Sequence, residues 1–232
     1  MYSPPDHPPL ISVIVPALNE AKTIGPTLAS LAGLAGLELI VVDGGSSDDT
    51  GARAEAAGAR VIEAPAGRAR QMNEGARAAR GDILLFLHAD TLLPPGFAGE
   101  VREALNRPGT AAGAFGLAIE APGLGFRCLE RLVRWRGRWL AMPYGDQALF
   151  LTAAMFDRVG RFADLPIMED FELVGRLRRQ GRIVLLPRQV RTSARRWRRL
   201  GLVRTTLVNQ AIVLGYLGGI DPARLARWYR GR

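Results

Sequence analysis

The stretch Gly81-Asp-Ile-Leu-Leu-Phe-Leu-His-Ala-Asp-Thr91 decides how the rest of this 232-residue chain is read. Ile83 to Leu87 is a short unbroken apolar run, the pattern of a strand buried on both faces of a parallel sheet. It gives way to His88-Ala89-Asp90-Thr91 and then to Pro94-Pro95-Gly96, which ends regular structure. Ligands of open α/β sheets bind beyond the carboxyl ends of the strands. A carboxylate at Asp90 is therefore placed to hold a divalent cation and, through it, a diphosphate. Taken alone, Asp90 fits the capping of the following turn equally well; the other strand ends have to decide.

Upstream, Ile11-Ser-Val-Ile-Val-Pro-Ala-Leu-Asn-Glu20 reads as a first strand running into a loop that carries Asn19 and Glu20, and Ala21 to Leu34 has helical spacing. Leu37 to Val42 is a second strand followed by Asp43-Gly-Gly-Ser-Ser-Asp-Asp-Thr50. A helix over 50–58, a strand over 60–63 and a helix over 68–80 then lead into the opening strand. This alternation predicts parallel pairing with right-handed crossovers. Downstream, the pattern predicts a helix and then a strand between 96 and 120, and a helix over 124–139. Leu124, Cys128, Leu132, Trp135 and Trp139 share one of its faces, beside a stripe of Arg127, Arg131, Arg134 and Arg138. Strands follow at 147–152 and 183–186 with a helix over 168–180 between them, and an apolar helix over 200–217 precedes a last helix opened by Asp221-Pro222. The expected organisation is a flexible tail over 1–10, one α/β domain over 11–199 and a helical C-terminal extension over 200–232.

Composition narrows the options. Cys128 is the only cysteine, which excludes an internal disulfide, and two histidines with one cysteine exclude a structural zinc cluster. The start lacks the basic-then-apolar pattern of a secretory signal, so a cytoplasmic location is expected. Charge is split along the chain: residues 1–175 hold 16 Lys+Arg against 21 Asp+Glu, whereas 176–232 hold 15 against Asp221 alone. A basic tail of this kind suits an anionic membrane surface or a phosphorylated substrate. Nucleic acid fits less well, because no zinc finger, RNA-recognition signature or aromatic stacking run is present.

Two further acidic sites join Asp90. Asp43 ends the second strand before Gly44-Gly45-Ser46-Ser47, where a ligand can approach the backbone; a turn leading to a helix cap explains the same residues. Glu169-Asp170 opens a helix, where acids complement the macrodipole or supply a general base. Neither the phosphate-loop lysine motif nor GxGxxG is present.

In chain order, Ser12-Val-Ile-Val-Pro-Ala-Leu-Asn-Glu20, Val42-Asp-Gly-Gly-Ser-Ser-Asp-Asp-Thr50, Asn73-Glu-Gly75, Phe86-Leu-His-Ala-Asp-Thr91 and Glu169-Asp170 resemble the successive motifs of family 2 glycosyltransferases. The resemblance runs from about residue 11 to 200, and the small bacterial transferases labelled radical-SAM/selenodomain-associated are the most similar subgroup. It implies the GT-A fold, a Rossmann-like α/β/α arrangement with a mostly parallel sheet, and inverting transfer from a UDP- or GDP-sugar to a hydroxyl acceptor. Pro16, Ala17, Asn19, Glu20, Asp43, Arg68, Asn73, Ala89 and Asp90 would then line the donor site. Asp90 matches the second Asp of the family's Asp-x-Asp motif, which holds Mg²⁺ or Mn²⁺. His88 stands where the first usually is and is a second candidate ligand, better suited to Mn²⁺. Asp170 would be the base. Asp146, Gln147, Glu169, Arg196 and Trp197 would serve the acceptor and diphosphate, with Ser193-Ala-Arg-Arg196-Trp197 resembling the Gln-x-x-Arg-Trp element of processive members. The missing Gln and the lack of spanning helices argue against polymer synthesis.

Two other functions remain open. A sugar-nucleotide nucleotidyltransferase would carry a Gly-rich loop with a catalytic Lys or Arg after the first strand, where this chain has Pro-Ala-Leu-Asn-Glu. A non-catalytic nucleotide-binding or membrane-surface module would bind ligands without turnover. Thr205 to Ile220 is too short to span a bilayer and fits core packing or a homodimer interface; the 127–138 arginine stripe reads most plainly as a solvated helix face, with peripheral attachment to anionic lipid as the alternative.

Overall fold

The computed structural model describes residues 8–140 and 142–231; the tail residues 1–7 and the side chains of 136–140, Arg138 and Trp139 among them, lie outside the described residues. The first half follows the predicted alternation: β1 (Ile11–Ala17), α1 (Ile24–Ala29), β2 (Leu37–Asp43), α2 (Thr50–Ala56), β3 (Arg60–Glu63), α3 (Arg68–Ala78) and β4 (Ile83–Phe86). All three pairings among these strands are parallel. Both faces of β1 and β4 are buried, as their continuous apolar runs require, while the edge strand β3 is only partly covered. Val13, Val15 and Leu85 face one core with Ile24 and Leu28 of α1, while Ile14, Leu84 and Phe86 face the other with Met72 of α3. Gly75 lets α3 lie close on the sheet, since a Cβ there would strike Ile14 and Val42. Within the tail expected to be loose, Pro9 and Leu10 are tied down: their carbonyls accept from Arg102 Nε at 2.8 Å and from the Ile83 amide at 3.1 Å.

The second half turns the sheet round. β5 (Thr91–Leu92), α4 (Phe97–Asn106), β6 (Thr110–Glu120), α5 (Leu124–Leu140), β7 (Phe150–Thr152), α6 (Ala153–Arg158), α7 (Glu169–Leu177) and β8 (Arg182–Ser193) complete an eight-stranded sheet of order β3-β2-β1-β4-β7-β6-β8-β5. β7 runs antiparallel to β4 and β6, whereas β6 and β8 are parallel. The GT-A-like α/β architecture expected from the motifs is therefore present, with helices on both faces.

Several local expectations change. The strand expected from Gln147 begins only at Phe150, because Gly145–Gln147 forms a 3₁₀ turn and Ala148 takes a left-handed φ of 48°. The short strand expected at 183–186 extends to Ser193, passing Pro187 at a register shift against β6; proline is tolerated where the ladder is already interrupted. The helix expected over 200–217 is α9 (Leu202–Leu217), but the arginine-rich segment before it adds a short helix, α8 (Arg195–Leu200), that ends at Gly201; α10 (Pro222–Arg230) follows. In α5 the apolar stripe points outward: Leu124, Leu132 and Trp135 are exposed while Glu130 is buried, its Oε1 accepting the Ile119 amide at 2.7 Å.

The C-terminal helices are not a loose appendage. Ile212 and Leu225 form a third apolar cluster with Met168, joined by Phe171, Val208, Tyr216 and Tyr229, so α9 and α10 pack on the start of α7.

Candidate active site

The carboxyl ends of β4 and β8, the 3₁₀ turn, the start of α7 and the C-terminal helices enclose a cavity of about 580 Å³. Asp90 reaches it from the end of β4 and Asp170 from the first turn of α7, with Arg68, His88, Asp146 and Glu169 between them and Arg196 and Trp197 opposite. Motifs far apart in sequence thus share one hollow.

Arg68 sits at its centre. Its Nη2 lies 2.8 Å from His88 Nε2 and its Nε 3.2 Å from Glu169 Oε1, an ion-pair distance without hydrogen-bond alignment. Burial works against the guanidinium charge, but Glu169, Asp170, Asp146 and Asp90 together hold its pKa above the ordinary value. A guanidinium can only donate, so His88 Nε2 accepts and its proton rests on Nδ1. Burial and the Arg68 charge push the His88 pKa down to about 3. Its Nε2 lone pair faces a cation, which disfavours this nitrogen as a metal ligand.

Asp170 is held by backbone. Oδ2 accepts the Gly145 amide at 2.5 Å and Oδ1 the Phe171 amide at 2.7 Å. Each oxygen keeps a second lone pair for a substrate proton. Gly145 is needed there, since a Cβ would stand 2.6 Å from Arg68 Nη2 and 2.8 Å from Asp170 Oδ2. Met168, immediately before the acidic pair, holds a left-handed φ of 68°, a strain of about 1–3 kcal/mol of the kind that clusters at functional sites.

Asp90 is surrounded differently. Burial and the Glu20 charge raise its pKa, and Arg195, 3.8 Å away, offsets them in part. Arg195 Nη2 also reaches both Glu20 oxygens, at 2.7 and 2.8 Å. No group of three or more His, Cys, Asp and Glu side chains forms a ready metal cage among the described residues. A Mg²⁺-like ion needs only one or two protein carboxylates when phosphate and water complete its shell. Two acids crowded enough to raise one pKa, offset by one arginine, fit such an ion, with Asp90 as the ligand and Glu20 beside it.

Other expected residues lie off the cavity. Asp43 Oδ1 accepts the Gly45 and Ser46 amides at 3.1 and 2.8 Å, and the neighbouring loop is tied to it by the Asn19 amide donating to Ser46 Oγ at 2.9 Å. Asp43, Asn19 and Glu20 form an adjoining floor, linked to the cavity through Glu20–Arg195–Asp90; Pro16 lines a small void beneath His88 and Asp170. Ala17 and Ala89 are buried, and their carbonyls accept from Gln71 Nε2 and Thr27 Oγ1. Two expectations are corrected outright. Asn73 does not line the cavity; its amide is spent in both directions on the Phe162 backbone, at 2.9 and 3.1 Å. Gln147 is fully buried, donating to the Phe115 carbonyl and accepting from the Tyr144 amide, so it cannot meet an acceptor hydroxyl.

Sequence reasoning passed over Gln71, Arg195 and Tyr229. Gln71 is buried and bridges the Ala17 and Val42 carbonyls at 2.8 Å each, fixing the spacing of two strand ends. A buried-face Gln in a helix aimed at strand ends was the available signal. Arg195 and Tyr229 carried none, because their partners are remote.

The model of "Glycosyl transferase family 2" matches residues 12–163. Glucosyl-3-phosphoglycerate synthase of Mycolicibacterium paratuberculosis is 45% identical over 96 residues, which covers 36% of this chain and 29% of that protein. An uncharacterized glycosyltransferase of Mycobacterium tuberculosis is 32% identical over 186 residues, 72% of this chain and 68% of that one. The chain thus spans under a third of the first relative and about two thirds of the second. Among solved structures, glucosyl-3-phosphoglycerate synthase from Mycobacterium tuberculosis in complex with Mn²⁺, uridine diphosphate and phosphoglyceric acid superposes with a TM-score of 0.59 at 26% identity, covering 77% of this chain and 68% of that one. Mannosyltransferase PcManGT from Pyrobaculum calidifontis, in complex with GDP-Man and Mn²⁺, shares the fold with a TM-score of 0.63 at 22% identity over 89% of this chain and 65% of that one.

Proposed function

The chain belongs to glycosyl transferase family 2, and on that premise we propose that it transfers a sugar from a nucleotide-diphosphate donor to a hydroxyl acceptor with inversion. One observation carries the reading: Asp90, at a parallel strand end, and Asp170, on the first turn of α7, line the same cavity with Arg68 between them. The donor nucleoside would rest on the Asn19–Glu20–Asp43 floor. Asp90, with Glu20 beside it, would hold Mg²⁺ or Mn²⁺, which supplies charge neutralisation for the departing diphosphate. Asp170 takes the acceptor's hydroxyl proton as that oxygen bonds to the anomeric carbon and the bond to the diphosphate breaks. Arg68, oriented by His88 and Glu169, adds positive charge where negative charge develops. The relative's complex with Mn²⁺ and uridine diphosphate supports a UDP-sugar donor, and a GDP-sugar is the alternative.

A nucleotidyltransferase is disfavoured because no Gly-rich loop with a catalytic Lys or Arg follows β1, whose end reads Pro16-Ala-Leu-Asn-Glu20. Thermal melts with UDP and GDP, each with and without Mn²⁺, test the proposal. Cation-dependent stabilisation by one of them is expected, and the absence of any would overturn it.

A second reading concerns where the protein works. Leu124, Leu132 and Trp135 on α5 and Val203, Leu207, Leu214 and Leu217 on α9 are exposed, and Arg131, Arg134 and Arg204 lie on the same two helices. No helix among the described residues is long and apolar enough to cross a membrane. Peripheral attachment to an anionic surface fits this mixture of aliphatic and basic side chains. Sedimentation with phosphatidylserine vesicles but not with neutral ones is expected; a concentration-dependent dimer without vesicle binding would assign these faces to a second copy instead.

A further inference from the structure

Arg195 and Arg196 are neighbours at the start of α8, and consecutive helical residues point about 100° apart. Arg195 turns to the strand ends, where Glu20 and Asp90 share its charge. Arg196 turns to the C-terminal helices. Its guanidinium carbon lies 4.0 Å from the centroid of the Tyr229 ring, and Nη1 donates to the Tyr229 hydroxyl. Among the described residues no carboxylate stands within ion-pair distance of Arg196. Burial depresses its pKa, and Arg199 and Arg68 add to the effect, with no acid opposing them. A half-buried cation facing a cavity without an anion is costly unless a ligand supplies one.

The same wall carries two more polar groups. Arg230, exposed on α10, donates to the Pro166 carbonyl at 3.4 Å and forms no ion pair among the described residues, and Asn209 interrupts the apolar run of α9 where that helix lines the cavity. The other cavity arginines are already matched, Arg68 by Glu169 and Arg70 by Asp164. The charge is therefore segregated. The cavity's carboxylates lie at the strand ends, in the 3₁₀ turn, at Asp164 and on α7, while among the described residues Arg196 on α8 and Arg230 on α10 form no ion pair.

We propose that this wall is an anion subsite for the acceptor: the hydroxyl-bearing substrate carries a phosphate or carboxylate group that docks on Arg196, with Asn209 beside it and Arg230 at the rim. The inference rests on the cavity being the transfer site. The donor's diphosphate is the other source of the same chemistry, but it belongs beside Asp90, where Arg195 already stands. Tyr229 and the Arg196 contacts lie outside the stretch matched by the family model.

The test is calorimetric titration of glycerol 1-phosphate, glycerate and glycerol into the full chain saturated with UDP and Mn²⁺, beside a separate titration of UDP itself. At least one of the two anions should bind saturably and glycerol should not. Arg196→Gln should weaken the anion roughly tenfold or more and leave UDP affinity within about twofold, since phosphate contacts are local. Arg230→Gln, at an exposed position that leaves the Arg196–Tyr229 packing intact, should weaken the same anion about two- to fivefold and reports on the wall even if Arg196→Gln fails to fold. Binding of neither anion, or of glycerol equally well, overturns the proposal. So does a loss of UDP affinity in Arg196→Gln matching the loss of anion affinity, which would assign Arg196 to the donor. Failure of UDP and GDP to bind the unmodified chain would instead strike the glycosyltransferase reading.

Discussion

Asp43 and Asp90 both belong to the carboxyl ends of parallel strands, Asp43 as the last residue of β2 and Asp90 in the loop beyond β4, yet their surroundings differ. Asp43 satisfies itself: Oδ1 takes the Gly45 and Ser46 amides and shapes its own loop. Asp90 faces a cavity, where burial and the charge of Glu20 raise its pKa and Arg195, at 3.8 Å, offsets them in part. Asp43 spends Oδ1 on its own loop, whereas Asp90, despite hydrogen bonds from its own backbone and Thr91, faces the cavity near a second acid. A strand-end acid becomes a reactive site when its neighbours leave its charge incompletely matched, not through its position alone.

Four experiments break or sharpen that contrast. The largest effect belongs to the third acid: Asp170→Asn should keep nucleoside diphosphate binding while transfer falls by about 10²–10⁴. Full activity in a transfer assay would remove Asp170 as the base. Next, Asp90→Ala should weaken cation-dependent UDP binding by at least about tenfold, since even outer-shell losses at metal sites cost that much; undiminished protection in a melt would equate Asp90 with Asp43.

Asp43→Ala reverses the pattern. Losing a side chain that accepts two amides should lower stability by about 1 kcal/mol in a denaturant titration, and Asp43→Asn should recover most of it. The fourth experiment is the pH dependence of the metal-free chain. The folded pKa of His88, about 3, lies below its reference value of 6.5, so the unfolded chain takes up the proton first. This group's contribution to stability is complete above about pH 6.5 and declines as pH falls toward 3. His88→Gln should flatten that part of the profile, and an unchanged slope would show that burial and Arg68 do not hold the imidazole neutral.

The acidic sites were legible in sequence to different depths. Asp90 and Asp170 could be read because each follows a pattern that ends abruptly, an apolar strand in one case and a turn before an amphipathic helix in the other. Gln147 could not, since a polar residue beside a predicted strand looks the same whether it meets solvent or the Phe115 carbonyl. Asn73 misled for a similar reason: its partner, the Phe162 backbone, is 89 residues away. The apolar stripe of α5 gave the right period, but period does not say which side of a helix is covered.

By itself the sequence determined β1 to β4, their parallel order and the ends from which the acids project, because buried strands and their breaks are written in consecutive residues. Tertiary structure alone decided which arginine meets which acid. Arg195 pairs with Glu20 across 175 residues, while its neighbour Arg196 stacks on Tyr229. Coulomb and hydrogen-bond energies depend on distance and direction in space, and a basic run such as Arg195-Arg196 carries neither until the chain has folded.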